Sequence, residues 1–130
     1  MRRSPAPARL LLAALLAGAA LLAGCNGTRT VPPGEVTQGN PERGARLIVD
    51  YGCGSCHGIP GIDGADGLVG PPLDHFSRRS FIAGNLPNSA ENLTRWVSNP
   101  QAVEPGTAMP DLGVTTEEAR DITAYLYTLE

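Results

Sequence analysis

Apolar residues recur at three- and four-residue spacing in three stretches of the chain, and each stretch predicts a helix. The last is the clearest. Ala119, Ile122, Tyr125, Leu126 and Leu129 share one side of a helix that opens at Thr115-Thr116-Glu117-Glu118. A threonine cap with acids in the first turn suits a helix start. Leu93, Trp96 and Val97 line one face of a second helix over Ser89–Ser98, with Asn88 or Ser89 as its cap and Asn99-Pro100 as its end. A third begins at Pro41, a residue suited to a first turn, and runs to about Tyr51 with Leu47 and Ile48 on one side. Arg78–Ala83 reads as a short helical piece, and Gly58 to about Pro72, rich in Gly and Pro, reads as loop. No stretch alternates as a strand would, and nothing repeats. The expected fold class is all-α, with about three to five helices.

Ahead of these helices the pattern changes. Arg2, Arg3 and Arg9 precede Leu10–Leu22, an unbroken run of Leu, Ala and Gly. The run has the length of a signal-peptide core and falls short of the ~20 residues of a membrane span. It ends in Leu22-Ala23-Gly24-Cys25, which resembles the lipobox of bacterial lipoproteins. That resemblance implies cleavage before Cys25 and acylation of it. Two or three acyl chains meet the two anchoring signals that stable membrane attachment needs. Asn26–Pro41 is polar, with Pro32-Pro33-Gly34 and Gly39-Asn40-Pro41, and reads as a tether. The expected organisation is a removed leader over 1–24, a lipidated cysteine and tether over 25–41, and one domain over 42–130. The expected location is the extracytoplasmic face of a bacterial membrane.

Charge narrows the partners. The formal net charge is −3. Loss of three arginines and no acids with the leader takes it to −6. The chain contains no lysine, so a nucleic-acid surface or an anionic-lipid surface is not expected. Only 5% of residues are aromatic, against 16 Gly and 12 Pro, which is a meagre core for a small domain. A buried cofactor would supply the missing apolar centre.

The chemistry is concentrated in Cys53-Gly54-Ser55-Cys56-His57. Two thiols three positions apart, followed at once by an imidazole, match the attachment site of a c-type haem. Each thiol adds across one vinyl group, and His57 is then held under the ring as the proximal iron ligand. A disulfide between the two cysteines would not need His57. A zinc site would need a fourth ligand, and no second Cys pair or spaced His pair follows. With Cys25 taken by lipid, the three cysteines are accounted for.

The segment from Glu42 to Glu130 resembles a monohaem class I cytochrome c. Gly44 resembles the small residue where the first helix crosses the last. Asp121-Ile122-Thr123-Ala124-Tyr125-Leu126 resembles that last helix. Gly70-Pro71-Pro72-Leu73 resembles the loop whose proline carbonyl, here that of Pro71, accepts the proximal histidine's second N–H. Pro105-Gly106-Thr107-Ala108-Met109-Pro110 resembles the loop carrying an axial methionine. A narrower likeness is to the small cytochromes c that accompany haem–copper terminal oxidases, or are fused to their subunit II. It rests on Tyr51-Gly52-Cys53, Arg79-Ser80-Phe81-Ile82-Ala83-Gly84, Asn92-Leu93-Thr94-Arg95-Trp96 and Asn99-Pro100-Gln101.

The resemblance implies one covalent haem c with iron held by His57 and Met109. His75 is the other candidate distal ligand and also reads as a surface side chain. Arg79 is a candidate partner for a haem propionate or a solvated surface residue. Trp96 is a candidate for packing on the haem or donating to a propionate, and equally for plain core packing. Asp63 and Asp66 lack metal-loop spacing and read as solvated loop. Two filled axial positions leave no site for substrate, so the implied job is one-electron transfer rather than catalysis. The implied donor is a quinol-oxidising complex and the implied acceptor a terminal oxidase. The alternative is a haem enzyme or enzyme subunit whose distal ligand gives way to peroxide, nitric oxide or a sulfur oxyanion.

Overall fold

Asn40 starts the first helix: its side-chain oxygen accepts the Arg43 backbone N–H at 2.7 Å. Pro41 follows in the first turn, where its missing N–H costs nothing, and α1 spans Pro41–Asp50. These residues belong to a computed structural model that describes Thr37–Glu130. The expected leader, Cys25 and most of the expected tether lie outside the described residues.

The last helix, which we number α4, spans Thr116–Leu126. It opens with a capping box in which the Thr115 hydroxyl and the Glu118 side chain each take up the other's backbone N–H. Tyr51, just past the end of α1, donates its phenol to Glu118 at 2.9 Å and ties the two helices together. The crossing itself lies at Gly44. A Cβ there would overlap the Asp121 carbonyl of α4, so the absence of a side chain permits the close approach. Asp121 is only 4% exposed. Its carboxylate accepts the Asn40 backbone N–H at 2.7 Å and pairs with the Arg43 guanidinium, which also reaches Glu117 at 2.7 Å. Gly39 and Asn40, assigned from sequence to the tether, thus lie against α4, and the packed domain reaches back at least to the buried Thr37.

Between these helices, α2 spans Ala90–Ser98 with the Ser89 hydroxyl as its cap, accepting the Asn92 N–H at 3.2 Å. The Thr94 and Thr123 hydroxyls meet at 3.3 Å in the buried seam between α2 and α4. Asn99-Pro100 does end α2, and it also starts another helix. Asn99 accepts the Ala102 N–H at 3.0 Å, and α3 spans Pro100–Val103. The expected helical piece at Arg78–Ala83 is corrected. One 3₁₀ turn covers Phe76–Arg78, and the chain then forms a two-stranded antiparallel hairpin, β1 Phe81–Ile82 with β2 Leu86–Pro87. Asn88 stabilises that corner: its amide donates to the Phe76 and Arg79 carbonyls at 3.0 Å, and its oxygen accepts the Tyr127 phenol at 3.1 Å.

The buried apolar residues include Ile48 of α1, Leu93 and Val97 of α2, Ile122 and Leu126 of α4, and Ile59, Phe76 and Ile82 from the connections. Among the described residues no helix is long and apolar enough to cross a membrane.

Candidate functional site

The turn after α1 brings the motif together. Gly52 takes a left-handed conformation, φ 67°, and reverses the chain out of the helix. A 3₁₀ turn over Cys53–Ser55 follows, and the Cys53 carbonyl accepts the N–H groups of Cys56 at 3.2 Å and His57 at 3.0 Å. Cys53, Cys56 and His57 thereby share one wall of a cavity. The two cysteines are not joined to each other as a disulfide, and burial pushes the Cys53 thiol up before it is linked.

The Gly- and Pro-rich loop is strapped onto this turn by backbone bonds: Gly67 N–H to the Gly54 carbonyl at 3.0 Å, Gly70 N–H to Cys56 at 2.8 Å, and Leu73 N–H to Gly58 at 2.7 Å. The imidazole is oriented from the same loop. His57 Nδ1 lies 2.7 Å from the Pro71 carbonyl, which can only accept, so Nδ1 carries the proton and Nε2 keeps its lone pair in the neutral ring. Gly70 packs on the ring face; a Cβ there would stand 2.6 Å from Nδ1.

The cavity has a volume of about 440 Å³, within the ~300–1,000 Å³ of cofactor-sized sites. Its apolar lining includes Ile48, Ile59, Leu93, Val97, Ile122 and Leu126. Met109, Trp96, Pro71 and Arg79 border it too. The structure therefore gathers every site residue expected within the domain. Arg79 has an engagement the sequence did not reveal. Its Nη2 donates to the Pro72 carbonyl and, at 3.0 Å, to that of Asp74, and the guanidinium lies 5.1 Å over the Phe76 ring. His75 is not part of the cavity lining; its side chain is 65% exposed beside Asp74. Asp63 and Asp66 are exposed. Among the described residues no three His, Cys, Asp or Glu side chains gather as a metal-ion site.

Gln101 is the residue that sequence reasoning passed over. Standing in the first turn of α3, its amide donates to the Thr107 carbonyl at 2.9 Å and the Met109 carbonyl at 3.0 Å, and its oxygen accepts the Gly106 N–H at 3.3 Å. In the sequence it appeared only within the Asn99-Pro100-Gln101 likeness; a single polar side chain five to eight residues from its partners leaves no periodic signal.

Two thiols and an oriented imidazole on the wall of an apolar cavity, with a glycine where any side chain would strike the ring, fit a planar haem joined through both cysteines. The class so defined is the small helical protein folded around covalent haem. The chain belongs to the cytochrome c family, whose model matches residues 41–130. It therefore carries covalent haem c and serves haem-based electron transfer. It is 33% identical over 97 residues to cytochrome c oxidase subunit 2 of Alkalihalophilus pseudofirmus, covering 74% of this chain and 28% of that protein. It is 37% identical over 87 residues to cytochrome c oxidase subunit 2 of Bacillus sp. strain PS3, covering 64% of this chain and 24% of that protein. The chain thus spans about a quarter of the length of these relatives.

Proposed function

We propose that the protein is a membrane-tethered one-electron carrier, its haem iron held by His57 and Met109, that delivers electrons to a terminal oxidase from a quinol-oxidising complex. The observation that carries the reading is that the oriented imidazole and the methionine border one cavity with both thiols. An iron with two protein ligands has no position for substrate. A neutral thioether favours the ferrous state, which suits a carrier working towards an oxidase. Arg79, at the cavity border, supplies positive charge for a propionate. Trp96, also in the lining, offers an aromatic ring and an indole N–H to a bound haem. Similarity to two oxidase subunits supports a terminal oxidase as the acceptor. The tether follows from Cys25 and the lipobox-like residues before it.

The test uses full-length protein in bacterial membranes that contain a terminal oxidase. Pre-reduced protein is expected to be reoxidised at the oxidase's rate and to stop when the oxidase is inhibited. Cys25→Ser should move the protein to the soluble fraction with its haem spectrum unchanged. Reoxidation that ignores the inhibitor removes the oxidase from the reading, and a Cys25→Ser protein that stays on the membrane removes the lipid.

A further inference from the structure

We propose that Gln101 is a positioning residue for Met109: it clamps the methionine loop so that the sulfur stays on the iron against competing ligands. This rests on the reading that Met109 is the axial ligand. The observation is a single carboxamide using both of its ends on one loop. Its Nε2 reaches the carbonyls of Thr107 and of Met109 itself, and its Oε1 takes the N–H of Gly106.

Among the described residues no other hydrogen bond reaches the Met109 carbonyl. The Met109 N–H has only a long contact, 3.4 Å, to the Thr107 hydroxyl two residues away. The Thr107 N–H bonds to the Glu104 carbonyl at 3.1 Å, which closes the turn without reaching Met109. Pro105 and Pro110 bracket the segment and offer no N–H of their own. Gly106 stands at φ 85°, a conformation open to many alternatives in a free glycine. The clamp arm is itself anchored. Asn99 caps α3, Pro100 is buried in its first turn, and the Glu104 N–H returns to the Pro100 carbonyl at 2.9 Å. The register of α3 therefore fixes where Gln101 begins, and its three bonds fix where the ligand loop lies.

A sulfur ligand is exchangeable, and its effective hold equals its intrinsic bond less the freedom the loop recovers on release. Hydrogen bonds that restrict the released loop raise that hold without touching the iron. The prediction is read by titrating oxidised holoprotein with imidazole, which must displace the sulfur and abolish the far-red sulfur-to-iron band. Gln101→Leu, which keeps bulk and removes every polar atom, should bind imidazole about tenfold more tightly than wild type. Gln101→Glu, which keeps an acceptor and loses both donors, should do the same. In a Met109→Ala background Gln101→Leu should change imidazole affinity less than threefold, since no sulfur remains to be held. Because the haem is covalent, each variant can be assayed as holoprotein.

Wild-type protein lacking the far-red band defeats the ligand reading and this proposal with it. A wild-type band together with Gln101 variants whose imidazole affinity stays within threefold of wild type overturns the Gln101 proposal alone. So does a Gln101→Leu effect of equal size in the Met109→Ala background, which would place the effect outside the loop.

Discussion

Gly44 of α1 and Asp121 of α4 meet backbone to backbone, and the Asp121 carboxylate reaches from that contact to the Asn40 N–H that precedes α1. The first and last helices are thus fastened by one position that must be empty and one that must carry an acceptor. Gly44→Ala should destabilise the holoprotein by ~3 kcal/mol, the upper part of the usual cost of overpacking, because the obstacle is backbone and cannot rotate away. Asp121→Ala should cost ~1–3 kcal/mol by stranding the Asn40 N–H. Asp121→Asn, which keeps an acceptor, should cost less. Denaturant unfolding followed through the haem band gives all three values, and a neutral Gly44→Ala would refute the close approach.

Attachment makes a second prediction. Haem should stay with the polypeptide through denaturation and acid–organic extraction, since two thioether bonds survive both. Cys53→Ser or Cys56→Ser should leave a single bond and lower the yield of holoprotein. Replacement of His57 should abolish the normal low-spin spectrum even where haem is attached. Haem that extracts freely from wild type would contradict covalent attachment.

Removal of the methionine sulfur should be visible in three ways. Met109→Ala should lose the far-red band, bind carbon monoxide in its reduced form, and show a lower midpoint potential. A fall of ~59 mV corresponds to a tenfold change in the one-electron equilibrium constant, and we expect at least that. His75→Ala should do none of these, because that imidazole is exposed and outside the cavity lining. A His75→Ala protein that loses its low-spin spectrum would reverse the assignment.

The Glu118 carboxyl is held below the usual carboxylate range by the Thr115 hydroxyl and N–H and by the Tyr51 phenol. A carboxyl depressed in the folded state contributes stability above its unfolded pKa of ~4.3, and that contribution is lost as pH falls through the folded value. Wild type should therefore melt above Glu118→Gln at neutral pH, with the gap closing below about pH 4. Melting curves from pH 3 to 7, an interval chosen to span that value, decide it. A gap that persists undiminished at the acid end would mean that the Glu118 charge is not what the capping box and Tyr51 use.

What the sequence disclosed follows from which constraints are local. α1, α2 and α4 were legible because each buries one face over nine or more residues, and Pro41, Ser89 and Thr115 mark their starts. The Cys53–His57 motif was legible because attachment chemistry fixes both spacing and residue type. The hairpin was not: strands of two residues are too short to show alternation, and its turn puts a non-glycine residue, Ala83, at positive φ beside Gly84, which residue type does not signal. Arg79 had the right charge for an anion, yet the bonds it makes depend on where the Pro72 and Asp74 carbonyls arrive in three dimensions. The Gln101 bonds were hidden for the same reason.

The cavity of about 440 Å³ also bears on the order of events in making this protein. Its walls are largely the apolar side chains of the core, which haem covers and which water would otherwise wet. A domain of ordinary stability stays folded by only ~5–15 kcal/mol, so losing that cover weighs heavily. Before the thioether bonds close the chain should therefore be largely unfolded, as circular dichroism of the apoprotein would show. A polypeptide that misses its haem should then be cut by proteases sooner than the holoprotein, and limited proteolysis of the two forms would show it.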